Sequence, residues 1–127
     1  RGSFDARSLG SALHGFVARA LAAHPRVPVL LMSPTVAPRL ECLPNHVGLT
    51  LEEVRETVRR VAVCIDDARV TYLDGREVLG PDDVATYLRD DQLHPTAAGY
   101  RLMAERLTPH LSAALGLRTA HPDGSHP

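Results

Sequence analysis

The sequence predicts an α/β fold built on a parallel sheet that these 127 residues do not complete. Two apolar runs of strand length, 27–32 and 70–73, flank an amphipathic segment over 50–65. Strand, helix and strand at this spacing are typical of a right-handed βαβ unit with parallel strands. A helix precedes the first strand with no strand before it, and two strands cannot form a parallel sheet buried on both faces. We therefore expect the amino-terminal strands of the sheet to be missing.

Residues 8–23 are predicted to form the first helix. Ser8 is suited to the N-cap, and the helix should end near Ala23 because Pro25 restricts the backbone of His24. The apolar residues recur at helical spacing and form one stripe: Leu9, Ala12, Leu13, Phe16, Val17, Ala20 and Leu21.

The nearly unbroken apolar run from Val27 to Met32 predicts a strand buried on both faces. Residues 33–38 then form a loop at the carboxyl end of that strand, the edge where open α/β sheets bind ligands. Both a pocket wall and an ordinary proline-rich connection fit this loop.

Residues 39–48 also have the composition of a loop, and we expect a lid or pocket edge there. Glu41, Cys42 and His46 lie close together in sequence, but no second cluster supports a metal site, and no base is placed beside the thiol. Cys42 and Cys64 are the only cysteines, and two free thiols are preferred to a disulfide.

Residues 50–65 are predicted to form the clearest helix. Thr50 and Glu53 match a capping box, and Leu49 and Val54 are placed for a hydrophobic staple. The predicted buried stripe is Leu51, Val54, Val58, Val61 and Ile65. The side chains expected to face water are Glu52, Arg55, Glu56, Arg59 and Arg60.

The segment after this helix should contain the second strand, Val70 to Leu73, ended by the turn signal Asp74-Gly75. Asp74 follows the carboxyl end of a strand, so it is placed to border a site. Pro81 begins a short helix that should reach about Leu88.

Asp91 and His94 form the most informative constellation. Pro95 pushes His94 out of the helical region and suits the first turn of a helix, with Thr96 as the cap if the helix begins one residue later. The carboxylate of Asp91 can reach back to the imidazole across a tight turn. An acid bonded to Nδ1 leaves Nε2 as a general base, whereas a solvated loop pair is the alternative.

The last predicted helix carries an apolar stripe: Tyr100, Met103, Ala104, Leu107 and Leu111. Pro109 should kink or interrupt this helix, and Gly116 should cap it. We therefore divide the chain into one domain over residues 1–117 and a flexible tail over residues 118–127.

The Asp-x-x-His-Pro block, followed by small residues, Gly-Tyr and a closing helix, resembles the last block of the SGNH (GDSL-type) esterases and lipases. Residues 28–34 resemble the late buried strand and loop of that family, and residues 70–75 resemble its last strand. The resemblance implies a three-layer α/β/α, flavodoxin-like parallel sheet, represented here by its carboxyl-terminal part. It also implies that Asp91 and His94 complete a catalytic triad.

The resemblance further implies a nucleophile outside this chain, because the family's Gly-Asp-Ser block and its oxyanion-hole glycine and asparagine have no counterpart here. None of the six serines has a Gly-Asp-Ser context: Ser3, Ser8, Ser11, Ser33, Ser112 and Ser125. By position, Thr35, Val36 and Leu93 suggest an apolar acyl pocket. The expected function is part of an ester hydrolase, with a non-catalytic binding module as the alternative.

Composition limits the partners of this chain. The hydrophobic content of 44% and charged content of 23% are ordinary for a globular protein. A net charge of −1 provides no basic surface for nucleic acid, and no apolar run is long enough to span a bilayer. We expect a small ester or acyl substrate, no cofactor and no metal, and a dimer or association with the missing amino-terminal half.

Overall fold

The structure is a computed structural model that describes residues 7–117, and its centre is a two-stranded parallel sheet. Strand β1 (Val29–Met32) pairs with strand β2 (Val70–Leu73), with Val29 opposite Val70 and Met32 opposite Leu73. Helix α2 (Leu51–Ile65) connects the two strands. The predicted strand–helix–strand unit with parallel strands is confirmed. The tail expected at residues 118–127 lies outside the described residues, as do residues 1–6.

Strand β1 is shorter and less buried than its apolar run predicts. It begins at Val29, whose backbone N–H donates to the Arg69 carbonyl at 2.8 Å, while Val27 is exposed. Val29 to Leu31 are half-buried, and Met32 is 37% exposed. Burial on both faces is therefore wrong for the described residues, in which β1 is only partly buried and belongs to a two-stranded sheet.

Three long helices pack around this sheet. Helix α1 (Leu9–Ala23) packs against α2, and α2 contacts both strands. The longest helix, Ala97–Ala114, packs against β1 and against the short helices that follow β2. Among residues 7–117, no helix has the length and apolar character needed to cross a bilayer.

Helix α2 begins as its sequence predicts. The Thr50 hydroxyl accepts from the Glu53 N–H at 3.2 Å, and the Glu53 carboxylate accepts from the Thr50 N–H at 2.8 Å, so both halves of the capping box are present. The prediction that Arg55 faces water is wrong, because Arg55 is buried. Its guanidinium turns inward and donates to two backbone carbonyls and to Glu41.

Two one-turn helices follow β2. Helix α3 (Gly75–Val78) begins where the sequence predicts a turn, and the Asp74 carboxylate caps it by accepting from the Arg76 N–H at 2.9 Å. A 3₁₀ turn at Pro81–Asp83 leads into helix α4 (Val84–Tyr87), which confirms the helix expected there.

Helix α5 (Ala97–Ala114) takes the later of the two predicted starts and differs from the prediction at Pro109. Thr96 is its N-cap, accepting from the Gly99 N–H at 3.0 Å, so Pro95 lies outside the helix. The helix continues through Pro109, and the interruption predicted there does not occur. Pro109 and Glu105, whose carbonyl loses its bond, lie on the exposed side of the helix, where water can replace that bond.

The carboxyl end of α5 is capped as predicted. Gly116 has a positive φ of 66°, and its N–H donates to the Ala113 carbonyl while the Leu117 N–H donates to the Ser112 carbonyl at 2.8 Å. This pair of bonds is the Schellman arrangement, in which glycine adopts the left-handed conformation at little cost.

Candidate active site

His94 is held at the end of a small antiparallel turn between α4 and α5. The Thr96 N–H donates to the Tyr87 carbonyl at 2.8 Å, and the Arg89 N–H donates to the His94 carbonyl at 2.9 Å. Between these bonds the chain reverses at Gln92, whose φ is 56°. The backbone on both sides of His94 is therefore fixed by hydrogen bonds that do not involve its side chain.

Asp91 organises the same turn with both carboxylate oxygens. Its Oδ2 lies 2.7 Å from His94 Nδ1, and its Oδ1 accepts from the Leu93 and His94 N–H groups at 2.9 and 3.0 Å. Bonds from the His94 backbone N–H and its imidazole lower the pKa of Asp91. An ionised carboxylate can only accept, so the proton of a neutral His94 lies on Nδ1 and Nε2 carries a free lone pair.

The pair is open to solvent within the described residues. The side chain of His94 is 62% exposed and that of Asp91 is 48% exposed. A hydrogen-bonded acid and base in this arrangement can accept a proton at Nε2 from an incoming hydroxyl group.

Helix α5 approaches the His94 turn closely at Gly99. A Cβ atom on Gly99 would lie 2.4 Å from the Tyr87 carbonyl oxygen and 3.0 Å from Cβ of Pro95. The Tyr87 carbonyl oxygen is also the acceptor for the Thr96 N–H. Because Gly99 has no side chain, α5 can begin close to Tyr87, next to the hydrogen bonds that fix the backbone around His94.

A second loop, residues 33–37, follows the carboxyl end of β1. The Ser33 side chain is buried, and its Oγ accepts from the Gly75 N–H at 3.1 Å and lies 3.2 Å from the Tyr72 hydroxyl. A Cβ atom on Gly75 would lie 2.1 Å from the Ser33 carbonyl oxygen. The segments that follow β1 and β2 are thus packed backbone to backbone.

Arg55 and Glu41 hold this loop from the side of α2. Arg55 Nε donates to the Pro34 carbonyl at 2.9 Å, and one terminal nitrogen donates to the Thr35 carbonyl at 2.8 Å and to Glu41 Oε1 at 2.8 Å. Glu41 Oε1 also accepts from the Ala37 N–H at 3.0 Å. The Arg55 side chain lowers the pKa of Glu41.

The predicted substrate-contacting residues occupy different environments. Val36 is buried in a cluster with Leu79 and Leu88, and Leu88 pairs with Pro95 in an antiparallel bridge beside His94. Thr35 is half-buried, whereas Leu93 is 46% exposed in the His94 turn. Val36 therefore adjoins the base of that turn through Leu88.

Three residues that shape these loops had no predicted role at a site: Arg55, Glu41 and Gly75. Arg55 lies four residues after Leu51 and three before Val58, close to the apolar stripe of α2, and that helical position was the signal available in the sequence. Its partner Glu41 lies fourteen residues away in an irregular loop, where no periodicity indicates a contact.

The other polar residues that the sequence singled out are the two cysteines and Asp74. Cys42 and Cys64 are exposed free thiols, as predicted. Asp74 caps α3 and pairs with Arg76 at 2.6 Å, and the Arg76 side chain lowers the pKa of Asp74. Among residues 7–117, no three His, Cys, Asp or Glu side chains come together in a way that could hold a metal ion.

Comparison with known protein families matches residues 1–102 to the GDSL-like Lipase/Acylhydrolase family. Among solved structures, the salicylyl-acyltransferase SsfX3 from a tetracycline biosynthetic pathway matches with a TM-score of 0.71 and 33% sequence identity. That match covers 87% of this chain and 33% of the other, so the chain spans about a third of the length of the structure it matches. The curated proteins give no match. The small parallel sheet with its helices therefore resembles the SGNH-like hydrolase fold.

Proposed function

The chain belongs to the GDSL-like lipase/acylhydrolase family, and from that premise we propose that Asp91 and His94 are the acid and base of a serine-dependent acyl transfer. The observation that carries the proposal is the 2.7 Å contact between Asp91 Oδ2 and His94 Nδ1. It leaves Nε2 as the proton acceptor, which is the role a base needs beside a hydroxyl nucleophile.

The proposed reaction has two steps. His94 Nε2 takes the serine proton as the hydroxyl oxygen attacks the ester carbonyl, and then gives that proton to the departing alcohol, leaving an acyl-serine. In the second step His94 deprotonates the acceptor and returns the proton to the serine. Asp91 holds the ring in one tautomer and stabilises the imidazolium in both steps.

The proposed nucleophile lies outside these 127 residues. No serine here has the Gly-Asp-Ser context, and the buried Ser33 hydroxyl is engaged with Gly75 and Tyr72. The exposure of His94 and Asp91 supports a segment that covers them. Phe16 and Met32, which are also exposed, support association with a nucleophile-bearing segment or a second copy.

The proposed substrate is a carboxylic ester, and hydrolysis is the first candidate reaction. Transfer of the acyl group to an acceptor alcohol is the second, and the likeness to a salicylyl-acyltransferase favours it. The two differ only in whether water or an alcohol attacks the acyl-serine, so the ratio of free acid to new ester in the products separates them.

The test is esterase activity measured with the 127-residue chain alone and with the protein that contains the nucleophile. We expect negligible turnover of a short nitrophenyl ester by the chain alone, because the oxyanion hole and nucleophile together provide most of the rate. In the protein that contains the nucleophile, His94→Ala should remove nearly all turnover and leave the melting temperature about unchanged. Turnover unaffected by His94→Ala would end the acyl-transfer proposal, and ligand binding without turnover would favour a non-catalytic module.

A further inference from the structure

Arg55 is the side chain of α2 that bonds to the loop after β1. Arg55 donates to two successive backbone carbonyls, those of Pro34 and Thr35. Its side chain is 5% exposed, so these bonds are made away from bulk water, where a charged donor interacts strongly with its acceptors.

Glu41 completes a clamp that we define as Arg55 and Glu41. Both carboxylate oxygens of Glu41 pair with the guanidinium, and Oε1 also accepts from the Ala37 N–H. Residues 34, 35 and 37 are therefore tied by backbone atoms to one ion pair, and Val36 lies between the tied positions.

The packing of α2 does not by itself call for this clamp. Arg59, one turn later on the same helix, makes a bidentate pair with Glu56 at 2.8 and 2.9 Å, and both of these side chains are about half exposed to water. Burying a guanidinium has a desolvation cost, and an apolar side chain at position 55 would often be at least as stable. The clamp instead matches the positions of the backbone groups of Pro34, Thr35 and Ala37 in the loop.

The clamp borders a cavity at the carboxyl edge of the sheet. This cavity has a volume of about 460 Å³ and is lined by Val36, Pro38, Glu41, Arg76, Pro81 and Val84. Val36 belongs to the loop that the clamp holds and Glu41 to the clamp itself, whereas Pro81 and Val84 come from the segment after β2. The four apolar lining residues and the size suit a small organic group, and Glu41 and Arg76 add charged atoms to the lining.

We infer that Arg55 is a positioning residue that sets the shape of this cavity, and that the cavity holds the small apolar acyl group of the ester. Arg55 acts through Glu41 and the backbone of residues 34–37 and does not touch the substrate. This inference rests on the proposed acyl transfer, because it assigns the loop to the substrate of that reaction.

The test measures kcat and KM for an acetyl and a butyryl nitrophenyl ester in the protein that contains the nucleophile. Arg55→Lys keeps the charge but cannot donate in the same fork geometry to both carbonyls and Glu41. We expect its KM to rise by about tenfold and its kcat to change by less than about threefold, since ground-state and transition-state binding of the acyl group are lost together. The preference between the two esters should change by about fivefold or more.

Arg59→Lys is the matched control, because it alters an exposed arginine–glutamate pair on the same helix whose hydrogen bonds go to Glu56 and not to the loop. We expect its KM, kcat and ester preference to stay within about twofold of wild type. Glu41→Gln provides a second variant if Arg55→Lys fails to fold. Its amide oxygen can still accept from Ala37, but its NH₂ group cannot accept from Arg55, so it should reproduce the KM effect.

An unchanged KM and an unchanged ester preference in folded Arg55→Lys or Glu41→Gln would overturn the inference, as would a fall in kcat alone with both esters. His94→Ala in the same assay separates the two proposals. If His94→Ala removes turnover while the clamp variants leave KM unchanged, only the inference about Arg55 fails. If His94→Ala retains turnover, the proposed function fails.

Discussion

The loop after β1 and the His94 turn are built in opposite ways. The β1 loop is held by residues far away in sequence: Arg55 lies 21 residues from Pro34, and Gly75 lies 42 residues from Ser33. The His94 turn is held by Asp91, three residues away, and by backbone bonds within the same turn. One loop takes its shape from the fold, and the other carries most of its shape in its own sequence.

The side chains of the β1 loop and of the His94 turn also differ in their exposure to solvent. Ser33 and Arg55 are buried, so a change at either position leaves polar groups without partners in the interior and should lower stability. Asp91 and His94 are exposed, and changes there should leave stability almost unaffected. The two loops should therefore be separable experimentally, with catalysis changing at the His94 turn and substrate binding and stability changing at the β1 loop.

Among changes that keep His94, the largest effect on turnover is expected for Asp91→Asn. An asparagine keeps an oxygen that can accept from Leu93 and His94 N–H, so the turn should survive. The neutral amide cannot stabilise an imidazolium and favours the wrong tautomer, and turnover should fall by several hundred- to about ten-thousandfold. Steady-state kinetics and thermal melting of the protein that contains the nucleophile measure the two consequences separately.

Asp90→Asn is the control for this prediction. Asp90 is the neighbouring exposed carboxylate, one position out of the Asp-x-x-His register, and its change should cost less than about tenfold in rate. A rate that falls with Asp90→Asn and not with Asp91→Asn would transfer the orienting role to Asp90.

The difference between the loops also explains what the sequence could predict. The Asp91–His94 contact and the Thr50 capping box depend on residues three positions apart, where chain geometry leaves few arrangements. The paired strands followed from two apolar runs around an amphipathic helix. Arg55 was assigned to the solvent face because its partners, Pro34, Thr35 and Glu41, come from a loop whose path is fixed only by tertiary packing.

Tertiary contacts also decide between alternatives that the sequence leaves open. Pro95 in the first turn and Thr96 as the cap both fit the start of α5, and the close approach of α5 to Tyr87, permitted by Gly99, accompanies the start at Ala97. The interruption predicted at Pro109 follows from a local rule about proline. The other hydrogen bonds of α5 keep the helix continuous there, because Pro109 lies on its exposed side. The roles of Thr35, Val36 and Leu93 at a substrate remain predictions, because they depend on an occupant of the site.

A smaller effect is expected for Gly99→Ala, which tests whether the fold contributes to the His94 turn at all. The new Cβ would meet the Tyr87 carbonyl oxygen at 2.4 Å, so α5 or the turn must move. We expect a loss of about 1–3 kcal/mol in the free energy of unfolding, as for other overpacked positions, together with reduced turnover. Chemical denaturation and kinetics measure both.

Gly15→Ala is the matched control for this change. Gly15 lies inside α1, and a Cβ there would have no neighbour within 4 Å. Alanine is the better helix former, so this variant should gain about 0.5–1 kcal/mol in the free energy of unfolding. If Gly99→Ala also proved neutral or stabilising, the His94 turn would be independent of α5, and the contrast between the loops would be sharper than the structure indicates.

The smallest effect is the acid sensitivity of the clamp. Arg55 lowers the pKa of Glu41 below its ordinary value of 4.5, chiefly through their side-chain hydrogen bonds. The folded state therefore binds the Glu41 proton less readily than the unfolded chain does.

The stability that results from this lowered pKa is complete above the unfolded pKa and is lost as the pH falls through the lower folded value. The difference in melting temperature between wild type and Glu41→Gln should thus stay constant above the ordinary pKa of 4.5 and narrow as the pH falls below it. Glu56→Gln, which alters the exposed pair with Arg59, should show a smaller difference at every pH, because solvent screens that pair. A difference for Glu41→Gln that stays constant down to low pH would mean that its effect comes from packing or from the Ala37 bond and not from the charge of the clamp.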